Sequence, residues 1–255
     1  MMVFAKKKWG QNFLVDNNLL NKIVKTVNIT SDENILEIGP GQGALSEKLV
    51  DICNELHMVE IDRDLITILN QHDKLSKTNI INQDILKVNL SSLGLNNLIV
   101  IGNIPYNITS PIIFWLVEHF SSWNRAYLMV QKELAERLTA KIGTKDYSRI
   151  TVMTKLYFDI KISFLISPNV FLPKPKVQSA FIEITKKEDS YYKDINLKSF
   201  DQIVRMAFNQ RRKMLRNSLS SLDINMENCS VNFTMRPEQL TICLLYTSPS
   251  PRDRG

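Results

Sequence analysis

An apolar strand runs into a glycine-rich turn at Ile35-Leu36-Glu37-Ile38-Gly39-Pro40-Gly41-Gln42-Gly43. Three of the eight glycines of the chain fall within the last five of these residues. Glycine permits a positive φ and lets the backbone approach a ligand closely. Because a helical pattern follows, the stretch predicts a strand–turn–helix unit of an α/β sheet with a ligand at the carboxyl end of the strand.

The same alternation continues along the first half of the chain and is typical of βαβ units with a parallel sheet. We predict strands at Asn34–Ile38, Glu55–Ile61, Asn79–Asn82, Leu98–Gly102 and Ala126–Gln131. We predict helices at Leu19–Val27, Ala44–Ile52, Asp64–Gln71, Ser110–Phe120 and Lys132–Ala140. Two later β-rich stretches flank a proline-rich loop and are expected to close the sheet as a hairpin-like edge, Tyr157–Leu165 and Ser179–Thr185.

The glycine turn alone leaves two kinds of ligand open. Gly39, Gly41 and Ala44 also satisfy the G-x-G-x-x-A dinucleotide fingerprint, so a nicotinamide or flavin site is one interpretation. Glu37 stands directly before the turn, where its carboxylate would repel a pyrophosphate but could face the cationic end of a ligand. The second interpretation is therefore an adenosine ligand without phosphates.

Two further acidic residues end the next two predicted strands. Glu60 lies about twenty residues beyond the turn, the place of an acceptor for two ribose hydroxyls, and Asp84 could accept from an adenine amine. A single acid at a strand end is more often a helix cap. Three at successive strand ends favour S-adenosylmethionine, which joins adenosine to a charged amino-acid end.

Asn103-Ile104-Pro105-Tyr106 directly follows the predicted strand Leu98–Gly102. The exocyclic amine of adenine is a poor nucleophile because its lone pair is delocalised into the ring. Pro105 restricts Ile104 to an extended backbone conformation. The Asn103 side-chain carbonyl and the Ile104 backbone carbonyl can then hold both amine hydrogens out of the ring plane. Tyr106 offers a flat face for a stacked base. A strand-ending turn built on proline is the simpler alternative.

The net charge of +6 favours a polyanionic partner, and the basic residues are clustered. One cluster opens the chain, and a second lies within twelve residues that contain no acid: Lys6, Lys7 and Lys8, then Arg205, Arg211, Arg212, Lys213 and Arg216. A single helix at Phe200–Leu222 would put Arg205, Asn209, Arg212 and Arg216 on one stripe beside an apolar stripe of Val204, Phe208, Leu215 and Leu219. We predict phosphate contacts to a structured RNA, against the alternative of an ordinary solvated face.

Other classes of protein and site are disfavoured by composition. The cysteines are too few and too scattered for a disulfide framework or a zinc site and fit a reducing compartment: Cys53, Cys229 and Cys243. The histidines match no metal-ligand spacing, so no metal site is predicted: His57, His72 and His119. Without a long apolar run or a leader pattern, we expect a soluble cytoplasmic protein, not a membrane protein, and by default a monomer.

From about Lys8 to Leu240 the chain resembles the ribosomal RNA adenine dimethyltransferases, in particular the small-subunit enzymes of bacteria. The motifs that carry the resemblance are Gly10–Leu14, Glu37–Gly43, Val59–Asp62, Gln83-Asp84, Asn103–Tyr106, Gln131–Glu133, Phe171–Ser179 and Ala207–Lys213. The macrolide-resistance methyltransferases of large-subunit RNA share the fold and the Asn-X-Pro-Tyr signature, but the run Arg211–Leu219 is similar to the small-subunit branch. Trp9 stands where the family usually has Phe.

The resemblance implies a Rossmann-like S-adenosylmethionine-dependent methyltransferase fold, with a mostly parallel seven-stranded sheet and a small C-terminal α-helical domain. We expect the catalytic domain at residues 1–186 and a helical RNA-binding domain, shortened at its end, at 187–241. Residues 242–255 have neither a period nor a core pattern and are expected to be a non-native tail.

The resemblance also implies the roles of individual residues. The methyl-donor pocket would be lined by Asn12, Leu14, Gly39, Glu60, Asp84 and Asn103, with Gln11 beside them. Phe171 would pair with Tyr106 around the target adenine. The implied reaction is N6,N6-dimethylation of two adjacent adenosines in a hairpin near the 3′ end of small-subunit (16S) RNA, with that RNA or the assembling small subunit as partner. A large-subunit RNA adenine methyltransferase and a non-catalytic assembly factor remain the alternatives.

Overall fold

A computed structural model describes residues 5–187, 196–222 and 231–241. The described residues of Met1–Ala135 and Ile160–Lys186 form one compact unit, and those of Glu136–Asp159 and Lys187–Gly255 form a second. The expected boundary after residue 186 agrees with the second of these divisions. The expectation did not include Glu136–Asp159 in the second unit, where the structure places it. The expected non-native tail, 242–255, lies outside the described residues, as do Cys229 and Cys243.

The first unit is built on the central sheet. Among the described residues the strands are β1 (Phe13–Leu14), β2 (Asn34–Ile38), β3 (Leu56–Glu60), β4 (Asn79–Asn82), β5 (Leu98–Asn103), β6 (Arg125–Gln131), β7 (Phe158–Ile166), β8 (Phe171–Leu172) and β9 (Ser179–Lys186). Seven of them form one sheet in the order β4-β3-β2-β5-β6-β9-β7. The first five are parallel neighbours, and β9 is antiparallel to β6. The predicted seven-stranded, mostly parallel sheet is confirmed, and β7 and β9 occupy the predicted edge.

The described helices are α1 (Asn17–Val27), α2 (Ser46–Leu49), α3 (Arg63–Asn70), α4 (Thr109–Glu118), α5 (Lys132–Thr139), α6 (Arg149–Lys155), α7 (Leu197–Asn209) and α8 (Leu215–Ser218). Helix α6 was not predicted, and α2 is much shorter than the predicted Ala44–Ile52. At both ends of α2 there are hydrogen bonds of the 3-10 type, between residues three apart. They run from the Lys48 amide to the Leu45 carbonyl and from the Ile52 amide to the Leu49 carbonyl. None of these described helices is both long and apolar enough to cross a membrane.

The middle strands of the sheet are covered on both faces. Every residue of β2 and β3 is buried, the pattern of parallel strands between two helical layers. One hydrophobic cluster joins α1, β2, β3, β5 and β6. A packed core therefore fixes the positions of these strands. The predicted site residues lie at the carboxyl ends of the strands.

In the second unit the predicted single helix Phe200–Leu222 is wrong, because α7 ends at Asn209 and α8 begins at Leu215. The chain leaves the helical conformation at Gln210, and the amides of Leu215 and Arg216 bond to the carbonyls of Met235 and Phe233. The predicted basic stripe, Arg205 to Arg216, therefore does not exist on one helix. The predicted apolar residues are nevertheless inside, with Phe208 half-buried and the others buried: Val204, Leu215 and Leu219.

Candidate active site

The register of the sheet brings the predicted motifs to one edge. Ile38 pairs with Val59 on one side and Gly102 on the other, and Glu60 pairs with Asn82. The residues that follow these positions line one cavity of about 590 Å³. Its wall includes every predicted donor-binding residue and the whole Asn-X-Pro-Tyr motif: Gln11, Asn12, Leu14, Glu37, Gly39, Gly41, Glu60, Asp84, Asn103, Ile104, Pro105 and Tyr106.

The glycine turn is a backbone cradle on this wall. Gly39, Gly41 and Gly43 have φ values of 66°, 60° and 87°, which side-chain-bearing residues rarely adopt. A Cβ atom on Gly41 would lie 3.0 Å from the Phe13 ring. A side chain at position 41 would therefore be strained and would contact the Phe13 ring, whereas glycine keeps the backbone of the turn open to close approach by a ligand.

Glu37 is a buried carboxyl group beneath the turn, with 3% of its surface exposed. It accepts a hydrogen bond from Ser46 Oγ at 2.6 Å. Burial raises the pKa of Glu37 to about 7, with a smaller contribution from the charge of Glu60 and an opposing one from Ser46. A cationic ligand group near Glu37 would stabilise its ionised form.

Glu60 ends β3, and Asp84 follows the end of the neighbouring strand β4 on the same cavity wall. Glu60 is 5% exposed, and its Oε1 accepts the Asp62 amide at 2.9 Å. Burial raises the pKa of Glu60, while hydrogen bonds from backbone amides lower it. The Asp84 carboxylate accepts the Leu86 amide at 3.1 Å and so caps a short 3-10 helix. Asp84 therefore caps a helix and also lines the cavity, so its role as a cap does not exclude a role as acceptor for the adenine amine.

The segment before β1 is fastened to Asp62. Lys6 Nζ lies 2.6 Å from Asp62 Oδ1 and also pairs with Asp64, while Gln11 Nε2 donates to Asp62 Oδ2 at 3.0 Å. Hydrogen bonds to these carboxylates raise the pKa of Lys6. Lys6, which was predicted to contact RNA, is therefore not a free cation, because it pairs with two acids of the protein. Its contact with RNA stays a prediction. Lys8 is exposed on the cavity wall, and nothing is described for the Lys7 side chain.

Asn103 has an orientation that the hydrogen bonds determine. Its Nδ2 donates to the Asn12 carbonyl oxygen at 2.8 Å. A carbonyl oxygen can only accept, so the amide nitrogen must face Asn12 and the side-chain oxygen must face away. That oxygen has no hydrogen-bond partner among the described residues. It is therefore available to accept a hydrogen from a bound amine.

Tyr106 is tied to a residue that the sequence analysis missed. Its hydroxyl lies 2.7 Å from Ser179 Oγ, and Ser179 is fully buried at the start of β9. Burial raises the pKa of Tyr106. Ser179 closes the motif that begins at Phe171, so membership of that motif was the signal that could have identified it.

Phe171 does not take the position expected for it. It is 4% exposed, belongs to the hydrophobic cluster of the sheet, and is not among the described residues that line the cavity. Strand β8 pairs with β1, with Leu14 opposite Phe171 and Phe13 opposite Leu172. Since side chains alternate along a strand, Phe171 turns into the core and Leu172 turns outward. Phe171 therefore does not line the cavity together with Tyr106, as was expected for a pair of rings around the target adenine.

The predicted RNA-binding residues of the second unit are at the surface. Arg211 is half-buried, and its guanidinium lies 3.4 Å from the Thr144 carbonyl and 4.0 Å from Glu238. The other four are exposed: Arg205, Arg212, Lys213 and Arg216. They remain a basic region although they do not share a helix.

Comparisons with known proteins agree with this arrangement. A family profile described as "Ribosomal RNA adenine dimethylase" matches residues 2–240. Two similar proteins named "Ribosomal RNA small subunit methyltransferase A" come from Xylella fastidiosa (38% identical, covering 93% of this chain and 92% of that protein) and Pseudomonas syringae (40% identical, 93% and 91%).

Two solved structures are also similar over most of the chain. A dimethyladenosine transferase from Plasmodium falciparum has a TM-score of 0.78 at 26% identity, covering 92% of this chain and 95% of that one. The 23S rRNA methyltransferase ErmE has a TM-score of 0.69 at 26% identity, covering 92% and 98%. The fold is thus that of the S-adenosylmethionine-dependent rRNA methyltransferases, and the chain belongs to the ribosomal RNA adenine dimethylase family.

Proposed function

We propose that this chain transfers methyl groups from S-adenosylmethionine to N6 of two adjacent adenosines, in a hairpin near the 3′ end of small-subunit ribosomal RNA. Membership of the adenine dimethylase family and the names of the similar proteins support this function. The observation in the site that carries it is the hydrogen bond from Asn103 to Asn12, because it leaves an acceptor oxygen free beside the donor cavity.

The donor would be held by the backbone of the glycine turn and by three carboxyl groups. Glu60 would accept the ribose hydroxyls, Asp84 the adenine amine, and Glu37 would face the cationic amino-acid end. When bound, the donor supplies an electrophilic methyl group on a sulfonium, which is a good leaving group. The protein therefore has mainly to position the acceptor base.

The acceptor amine would be held by Asn103 Oδ1 and the Ile104 carbonyl. Two acceptors that draw the amine hydrogens out of the ring plane reduce the delocalisation of the nitrogen lone pair into the ring. The lone pair is then available to attack the methyl group. In each transfer the amine nitrogen would gain an N–C bond to the methyl group and lose one proton, while the bond from the methyl group to sulfur breaks and the neutral thioether leaves. For the second methyl only one hydrogen remains, so one acceptor is then sufficient.

The target base must leave its stack to reach the cavity, as bases do in other methyltransferases that act on them. Tyr106 would supply the stacking face, and its bond to Ser179 would fix the plane of the ring. Stacking of a base on an aromatic side chain contributes about 1–3 kcal/mol. Since Phe171 is buried in the core, Tyr106 alone carries this contact in our proposal.

The basic residues of the second unit would hold the RNA by its phosphates. The substrate would be small-subunit RNA or an assembling small subunit, and the protein would act in the cytoplasm, where bacterial ribosomes are assembled. A large-subunit RNA adenine methyltransferase is the second candidate, favoured by the similarity to ErmE. A non-catalytic assembly factor is less favoured, because a binder needs neither the glycine cradle nor the oriented Asn103.

Nucleoside mass spectrometry of two RNAs tests the proposal. Unmethylated small-subunit and large-subunit particles are each incubated with the protein and S-adenosylmethionine, with a sample lacking the donor as control. We expect dimethyladenosine in the small-subunit sample alone. Product in the large-subunit sample alone would assign the second candidate, and product in neither would refute catalysis.

A further inference from the structure

The proline-rich segment Leu172–Gln178, here called the proline loop, is joined to the cavity wall at both ends. Leu172 is paired with Phe13, which lines the cavity. At the other end the Gln178 carbonyl accepts the Lys132 amide at 3.0 Å, and the next residue is Ser179, the partner of Tyr106. Both ends of the proline loop are therefore fixed next to residues that contact or line the cavity wall.

The side chains of the proline loop are exposed to an unusual degree. Leu172 is 65% exposed and Val177 44% exposed, although both are apolar. Lys174 and Lys176 are also exposed and form no ion pair with a described residue. Pro175 between them is buried and fixes the backbone. The loop thus presents two cations and two apolar groups to a partner.

The charge and the position of the proline loop identify the class of that partner. No acid occurs from Ser167 to Gln178, so the loop attracts a polyanion. A base that enters the cavity also leaves a neighbouring base with one uncovered face, and exposed apolar side chains are used elsewhere to cover such faces.

We propose that the proline loop is a second RNA-binding element, carried by the unit that contains the cavity. Lys174 and Lys176 bind phosphates of the strand that flanks the target adenosine, and Leu172 packs on the base next to the vacated position. This inference rests on the proposed function, since it assumes that the base entering the cavity comes from RNA.

The lysines are tested by RNA binding over a range of salt concentrations, with fluorescence anisotropy as the readout. We expect Lys174→Ala with Lys176→Ala to weaken binding of the target hairpin RNA and to lower the salt slope by about 0.7–0.9 for each phosphate that is no longer neutralised. The matched control is Lys25→Ala with Lys77→Ala, two exposed lysines that precede the amino ends of β2 and β4. Equal affinity and slope in both double variants would overturn the assignment.

Leu172 is tested with 2-aminopurine at the target position, whose fluorescence rises when the base leaves its stack. We expect Leu172→Ala to reduce this rise severalfold, whereas Leu165→Ala, an exposed leucine of β7, leaves it unchanged. Donor affinity should be unaltered in every variant, which shows that the fold is intact. An unchanged fluorescence rise in Leu172→Ala would refute the packing role. Failure of the proposed function is separate, because it is seen as absence of dimethyladenosine with the unaltered protein.

Discussion

At the scale of single residues, the orientation of Asn103 rests on the backbone of a distant segment. Its amide nitrogen donates to the carbonyl of Asn12, ninety-one positions earlier in the chain. The carbonyl oxygen is thereby directed away from Asn12 before any base binds, and a preorganised acceptor needs no rearrangement at the moment of reaction.

Asn103→Ala should reduce methyl transfer by about two orders of magnitude, the effect of removing one preorganised polar group from an active site. Donor affinity should stay within a few-fold, because the cradle and Glu60 are untouched. Single-turnover rates and calorimetric titration with the donor measure the two effects. Asn70→Ala, at the exposed end of α3, is the control, and near-normal transfer by Asn103→Ala would contradict its role.

Ser179→Ala should lower transfer about fivefold without changing donor affinity, because a lost hydrogen bond of about 1 kcal/mol frees the Tyr106 ring. Tyr106→Phe removes the same bond from the other side. The double variant should therefore be no worse than the more affected single variant. Strictly additive losses would show that Ser179 and Tyr106 act independently.

The affinity for S-adenosylmethionine should depend on pH through Glu37, whose pKa burial raises to about 7. Below pH 7 the free protein holds Glu37 mainly protonated, and a bound ammonium group favours the ionised form. Affinity should therefore increase as the pH rises from 5.5 through 7 and then level off. The stability that neutral Glu37 provides changes in the opposite sense, being lost as the pH rises through 7.

Glu37→Gln is the control for this pH dependence, because glutamine keeps the shape and can still bond to Ser46. Titrations with donor at several pH values should give a flat profile for this variant. A profile in Glu37→Gln that still rises through pH 7 would assign the titration to another group.

At the scale of elements, the sequence predicted best what depends on local pattern. Strands β2 and β4 were predicted at their observed bounds, because isoleucine-rich stretches with high strand propensity stand there between polar and turn-forming residues. Because the carboxyl ends of parallel strands meet at one edge of a sheet, the register brings Glu60, Asp84 and Asn103 to the same edge. The convergence of these residues on one cavity was therefore predictable from the sequence, while their binding of the donor stays a prediction.

The errors come from contacts between residues that are far apart in sequence. Helix α7 stops at Asn209, and α8 starts where the amides of residues 215 and 216 bond to the carbonyls of residues 235 and 233. Phe171 turns inward because β8 pairs with β1, a pairing of two-residue strands that no periodicity reveals. Lys6 looked like a free cation because its partners, Asp62 and Asp64, are more than fifty residues away.

The broken helix changes the geometry of the basic region but not its expected charge effect. Arg212→Ala with Arg216→Ala should weaken RNA binding and flatten its dependence on salt, since both residues are exposed. Donor affinity should not change. An unaltered salt slope in this double variant would show that these arginines do not contact phosphates.

At the scale of the molecule, the chain crosses between its two compact units more than once. Glu136–Asp159 leaves the first unit and is joined in the second by Lys187 and the residues after it. Within the second unit, Arg149 pairs with Asp201 at 2.6 Å and the Tyr147 hydroxyl donates to the Leu240 carbonyl at 3.2 Å. We therefore propose that the RNA-binding unit includes α6 as well as α7 and α8.

In the proposed function, Asn103 serves the dimethylation of small-subunit RNA. The most direct test expresses the intact chain and its Asn103→Ala variant, at equal levels, in a bacterial strain that lacks its own dimethylating enzyme. Nucleosides of both ribosomal RNAs are then mapped by mass spectrometry. We predict two adjacent dimethyladenosines in small-subunit RNA with the intact chain and none with the variant. Modification of large-subunit RNA alone, no modification by the unaltered chain, or full modification by Asn103→Ala would refute this role.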